Sequence, residues 1–170
     1  MSEHDGPEYW IDVQFACPRR GVPAAPTFRW WAEAALRATQ APAGEMVIRV
    51  VDAEEGRTLN RQWRKRDRAT NVLSFPGEAL AGLPWQPLGD IVICAPVVRT
   101  EAAQQGKSER AHWAHMTVHG VLHLLGHDHQ SPREAEQMEG IERRLLVEFG
   151  YPDPYLWQGG DDTRTAEGSS

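Results

Sequence analysis

The stretch His119-Gly120-Val121-Leu122-His123-Leu124-Leu125-Gly126-His127-Asp128-His129 decides how this chain is read. The chain has 7 histidines, and all but His4 lie between His112 and His129. His119 and His123 are four residues apart, so on a helix they stack on one face and both imidazoles can reach one metal ion. Gly126 adopts the left-handed conformation that closes a last helical turn, and the chain can then bring His129 back to the same ion. Three His ligands with a fourth position left to water form a catalytic zinc arrangement, whereas closed structural sites usually recruit Cys. A lone His pair would more simply be a helix with core or surface histidines. Here the pair, the helix-ending glycine and the third histidine occur together. In a zincin-type peptidase, H-E-x-x-H supplies a general-base Glu directly after the first His. Here that position is Gly120, which cannot take a proton.

Working outward, Ser108 to Leu125 reads as one long helix with Ala111, His115, Val118, Leu122 and Leu125 on a buried stripe. His115, four before His119, is a rival ligand by spacing. It ranks below His129, because three ligands along one straight helix spread over roughly 12 Å and do not converge. After the histidines, Ser131 caps a last helix with Pro132 in its first turn and Glu134 completing a capping box. Met138, Ile141, Leu145 and Phe149 form its apolar stripe.

Before the histidines, Ile11, Val13 and Phe15 alternate with Asp12 and Gln14 as a half-buried strand. Thr27 is placed to cap a helix carrying Trp30, Trp31 and Leu36, an aromatic stripe read as core. Met46 to Val51 is a second strand. Glu54 to about Arg66 reads as a helix with Leu59 and Trp63 on its inner face. Val72 and Leu73 look like strand residues near a sheet edge. Gly77 to Pro87 is a loop, and Gly89 to Cys94 is a strand whose continuous apolar run predicts burial on both faces. Asp90 at its start is a turn-former or a partner orienting a ligating His, the former by preference. Pro96 opens a short helix toward Gly106. The order β-α-β-α-β-β-α-α-α predicts an α+β domain: a small mixed sheet with helices packed on it and a zinc site at a helix end. Residues 1–157 read as a single domain. From Gln158 to residue 170 the polar, Gly-rich composition predicts a disordered tail.

Composition sets the remaining bounds. A chain of 170 residues with 41% hydrophobic content is long enough to bury a real core. Net charge is −6, so RNA contact would need a local basic patch. Arg57, Arg61, Arg64, Lys65, Arg66 and Arg68 form one, offset by Asp67 alone. That run is either a solvated helix face or a phosphate-contacting surface. Cys17 and Cys94 have no partner at metal or redox spacing and read as reduced thiols of a cytoplasmic protein. The acidic Met1 to Asp5 is unlike a signal peptide, and no apolar stretch approaches a spanning helix, so no membrane association is expected.

The histidine stretch resembles the signature H-G-x-L-H-L-x-G-Y-D-H of the bacterial rRNA maturation factor family, the YbeY endoribonucleases, departing from it only at His127. Thr70-Asn71-Val72-Leu73-Ser74-Phe75-Pro76 is similar to that family's T-N-V-L-S-F-P. Gly89 to Cys94 is similar to its L-G-D-(I/V)-V-I-(C/S). Its Y-R-G-K-D-K-P becomes Trp63-Arg64-Lys65-Arg66-Asp67-Arg68-Ala69, which departs at Trp63, Lys65 and Ala69. The resemblance covers roughly Leu59 to His129. It implies a metal-dependent, single-strand-directed endoribonuclease of the cytoplasm, working on ribosomal RNA at the 3′ end of the small-subunit RNA and in ribosome quality control. One Zn²⁺ per chain would be held by His119, His123 and His129. The family's catalytic Arg falls on Arg64, and Arg61, Lys65, Arg66 and Arg68 would hold the RNA strand. A zinc hydrolase acting on peptides or small molecules is the alternative. A non-catalytic ribosome-binding factor with structural zinc is a third reading. Neither the oligomeric state nor the attacking nucleophile is legible in the sequence.

Overall fold

The alternation of Ile11, Val13 and Phe15 produces β1 (Tyr9–Ala16), the first of four strands. There follow α1 (Ala25–Ala38), β2 (Gly44–Val51), α2 (Ala53–Arg64), β3 (Val72–Pro76), β4 (Gln86–Cys94), α3 (Ala95–Gln105), α4 (Glu109–Leu124) and α5 (Pro132–Glu148). This is the element order the sequence predicts, and the α+β class holds. The computed structural model describes residues 6–64, 70–128 and 130–155, without the side chain of Arg64.

The sheet order is β1-β2-β4-β3. β1, β2 and β4 run parallel, with Ile48 paired to Ile91. β3 is antiparallel to β4 at the edge, as Val72 and Leu73 suggested. The unbroken apolar run of β4 is buried on both faces. Ile91 and Ile93 join the main core with Ile48, Phe28, Trp31, Trp113 and Leu122. Val92 and Cys94 join Val51 and Leu73 in a smaller cluster, with Leu59 of α2 packed against it. A parallel strand covered by helices needs no polar alternation, and this one has none.

Local chemistry sets the helix ends. The Ser108 and Ser131 hydroxyls accept the N–H groups of Ala111 and Glu134, as the sequence predicts for Ser131. Gly106, Gly126 and Gly150 have positive φ just past α3, α4 and α5. Each is followed by an N–H reaching back to a carbonyl five residues earlier: Lys107 to Ala102, His127 to Leu122 and Tyr151 to Leu146.

The structure corrects several local expectations. α1 begins at Ala25 with Ala24 as N-cap and no side-chain cap, so Thr27 is inside the helix. Pro26 in the first turn has its φ already fixed for a helix and needs no hydroxyl. Trp31 is fully buried but Trp30 is 54% exposed. α2 ends at Arg64, and Trp63 is 65% exposed, resting edge-on against Phe75 at 5.9 Å instead of in the core. Asp90 is not a turn-former, and among the described residues no histidine bonds it. It is an exposed residue within β4, in register with Val47 of β2 and Phe75 of β3. α4 is buried on far more than one stripe, because α1, α3, α5, β3 and β4 all pack around it. Cys17 and Cys94 are unpaired thiols. Among the described residues no helix is long and apolar enough to cross a membrane. The expected tail, 158–170, lies outside the described residues.

Candidate metal centre

From Ala111 to Leu124 every residue of α4 is buried except His119 and His123. Their spacing of four puts them on one face, with ring centroids 4.6 Å apart. Gly120 between them lets the helix lie against the sheet. A Cβ there would meet Val72 Cγ2 at 2.9 Å and Ile91 Cδ1 at 3.3 Å. The Ser74 hydroxyl donates to the Gly120 carbonyl at 2.8 Å, fastening α4 to edge strand β3. The two imidazoles thereby open onto a cleft of about 580 Å³ between α4, α2 and β3. Its other walls are mostly polar: Asn60 of α2, Thr70, Asn71 and Ser74 around β3, and Asp128 and Gln130 after the Gly126 turn.

Behind His119 lies a carboxylate the sequence reading passed over. Glu142 of α5 is fully buried. Its Oε2 accepts from His119 Nδ1 at 2.6 Å. Its Oε1 accepts from His115 Nε2 at 3.2 Å and from the Tyr155 hydroxyl. Burial pushes the Glu142 carboxyl up, but the hydrogen bonds from His115 and His119 outweigh it and hold the group well below the usual carboxylate range. As a carboxylate Glu142 can only accept, so the three partners donate. Burial lowers the pKa of His115 against the pull of Glu142, and its Nδ1 is buried without a hydrogen-bond partner. A neutral His115 donating through Nε2 accounts for both. Burial raises the Tyr155 hydroxyl, with the Glu142 charge adding to it.

A second polar chain ends at Asn71 in the cleft wall. Asn71 Nδ2 donates to both oxygens of Glu101 at 3.2 Å, His112 Nε2 meets Glu101 Oε1 at 2.9 Å, and Lys107 Nζ lies 3.3 Å from His112 Nδ1.

The expected site residues are distributed as follows. His119 and His123 come together in the cleft. His115, the rival ligand, spends its Nε2 on Glu142 and is absent from the cleft wall. α2 runs to Arg64 beside the cleft, with Asn60 in the wall and Arg61 exposed one residue on. His129, Lys65, Arg66 and Arg68 lie outside the described residues, as does the Arg64 side chain. Among the described residues no group of three His, Cys, Asp or Glu is gathered for a metal. The donor chemistry fits zinc nonetheless. Two imidazoles face one cleft, and Glu142 occupies Nδ1 of His119, which would leave Nε2 for a metal. Glu142 had a sequence signal: it stands four after Met138 and three before Leu145, an inward helical position filled by an acid. The stripe was read through Ile141, its neighbour.

A family model described as Endoribonuclease YbeY matches residues 23–150. An endoribonuclease YbeY of Stenotrophomonas maltophilia is 56% identical over 149 residues, covering 85% of this chain and 92% of the relative. One from Alkalilimnicola ehrlichii is 54% identical over 157 residues, covering 89% and 94%. The solution structure of a Thermotoga maritima protein matches the fold with a TM-score of 0.53 at 22% identity, covering 82% of this chain and 91% of that one.

Proposed function

The chain belongs to the endoribonuclease YbeY family, and from that premise we propose that it cleaves single-stranded RNA with one zinc ion held by His119, His123 and His129. Its substrate is ribosomal RNA, at the 3′ end of the small-subunit 16S RNA and in ribosome quality control, and it works in association with the ribosome in the cytoplasm. The observation carrying this reading is the exposure pattern of α4: a helix otherwise buried from Ala111 to Leu124 opens to a polar cleft only at His119 and His123. A core helix has no packing reason to open at two histidines four apart.

The chain's own residues divide the work. Glu142 keeps the Nδ1 of His119 engaged, so that ring cannot rotate out of the cleft. Zinc, when bound, supplies Lewis acidity toward a water or a phosphoryl oxygen. Arg64, at the end of α2, offers two parallel N–H donors to the phosphate and stabilises charge that grows on its oxygens. Arg61, Lys65, Arg66 and Arg68 hold the strand through its phosphates. The walls contributed by Thr70, Asn71 and Ser74 give a strand polar contacts. Gly120 leaves no side chain to act as the base of a peptidase, and β3 and β4 leave no room for one.

Zinc analysis and cleavage assays on the full chain test this. The parent carries one zinc and cuts single-stranded ribosomal RNA but not peptides. His123→Ala loses the ion, and His115→Ala, which removes no ligand, still carries it at saturating zinc. Arg64→Lys keeps fold and zinc yet loses about 10²-fold or more in cleavage, since Lys cannot reproduce the fork. Arg61→Lys is nearly silent. Full zinc in His123→Ala overturns the ligand set, and parental cleavage by Arg64→Lys overturns the role of Arg64. Peptide hydrolysis without RNA cleavage would favour the hydrolase reading, and zinc without either activity the structural one.

A further inference from the structure

We propose that Glu142 is the positioning residue of the metal centre: its carboxylate fixes His119 as the Nδ1–H tautomer with Nε2 presented to the ion, and Tyr155 and His115 hold that carboxylate in place. The inference rests on the zinc reading above and adds to it residues from α5 and from the segment after it.

The geometry separates the two oxygens of Glu142. Oε2 takes His119 alone, at 2.6 Å, on the short side for a bond from a ring N–H to a carboxylate. Oε1 takes His115 at 3.2 Å and the Tyr155 hydroxyl. His115 and His119 are one helical turn apart, and the acid sits between them. The inner imidazole, His115, ends on Glu142, and the outer one, His119, bonds Glu142 at Nδ1 while lining the cleft. An imidazole bound at Nδ1 can ligate a metal only through Nε2, and its ring plane is set before any ion arrives.

A purely structural role explains less. Taking a carboxylate fully out of water is costly, and well-packed apolar residues commonly replace buried ion pairs without loss of stability. The α5 stripe of Met138, Leu145 and Leu146 is apolar around Glu142. The acid thus interrupts a core surface at the one place where it reaches a cleft histidine.

Tyr155 is itself anchored. The Arg143 guanidinium lies 5.4 Å from its ring centroid, and Arg143 Nε pairs with Asp153 Oδ2 at 3.1 Å. Tyr155 N–H also bonds Asp153 Oδ1 at 2.8 Å. The chain after Gly150 therefore folds back against α5 and closes the far side of the Glu142 site. The Tyr155 ring also stacks edge-on to His115, 5.7 Å between centroids.

The test compares the full-length parent with Glu142→Gln, Tyr155→Phe and the exposed control Glu136→Gln. Zinc affinity is measured by chelator competition. The visible spectrum of the cobalt-substituted protein reports ligand geometry. The ¹⁵N shifts of the metal-free parent report the tautomer of His119. Glu142→Gln is expected to bind zinc 10- to 100-fold more weakly, the usual cost of losing such a partner, with an altered cobalt spectrum. Tyr155→Phe weakens zinc in the same direction by less. Glu136→Gln matches the parent. Metal-free His119 carries its proton on Nδ1. Parental zinc affinity and cobalt spectrum in a folded Glu142→Gln overturn the inference, while the ligand set survives through His123→Ala. Should Glu142→Gln fail to fold, the tautomer decides, and His119 protonated at Nε2 overturns the inference. A parent that binds no zinc overturns the metal reading and this inference with it.

Discussion

A methyl group on Gly120 collides with Val72 and Ile91, whereas one on Gly126 meets nothing within 4 Å. Both glycines belong to the histidine stretch, but for different physical reasons. Gly120 has an ordinary helical conformation and is small so that α4 can approach the sheet. Gly126 has φ +98° and open space around it, so its requirement is conformational. Gly120→Ala is expected to cost about 1–3 kcal/mol through overpacking. Gly126→Ala is expected to cost about 1–2 kcal/mol through backbone strain. Urea unfolding of both variants and their Asn counterparts separates the causes. Asn tolerates positive φ and recovers part of the loss at position 126, but it is worse than Ala at 120. Parental stability of Gly120→Ala would refute the close approach. The same crowding explains why glutamate, the base in H-E-x-x-H, has no place here.

At the scale of the element, periodicity and end signals located every helix but did not settle which aromatic faced inward. Trp31 and Trp63 were both read as core. Trp31 is fully buried, making edge contacts to Phe28 at 5.8 Å between centroids. Trp63 stands on the last turn of α2 with most of its surface in solvent. Trp31→Ala is therefore expected to lose about 3–5 kcal/mol. Trp63→Ala should lose about 0.5–1.5 kcal/mol, the scale of one aromatic pair. Equal losses in chemical denaturation would contradict the packing described. The local signals behave differently. Ser131 and Gly126 were legible because a cap or a left-handed turn is satisfied within five residues of chain.

Across the whole molecule, Glu101 joins the start of β3, through Asn71, to α4, through His112. The hydrogen bond from His112 is the chief influence holding the Glu101 carboxyl below its ordinary range, against the opposing effect of burial. A carboxylate depressed in the folded state contributes stability above its unfolded pKa of about 4.3 and loses it as pH falls through the folded value. Glu101→Gln imitates the protonated acid. It is expected to be about 1 kcal/mol less stable than the parent at pH 7, a modest figure because the carboxylate is partly solvated. That gap should close as pH drops below about 4. Urea unfolding at several pH values checks it, and a gap that persists or widens in acid would refute the role of the pair.

The sequence by itself determined the order of the elements, the helix ends at Gly126 and Ser131 and the pairing of His119 with His123, because each depends on contacts within a few residues along the chain. The approach of α4 to the sheet was not legible, because Gly120 meets Val72 and Ile91 from other elements. Nor was the burial of α4 on all sides, which depends on how many neighbours surround it and not on its own pattern. Tertiary structure alone decided the β1-β2-β4-β3 order and the partner of His119. Glu142 lies 23 residues beyond that histidine, and a buried acid takes its meaning from the donors the fold brings to it.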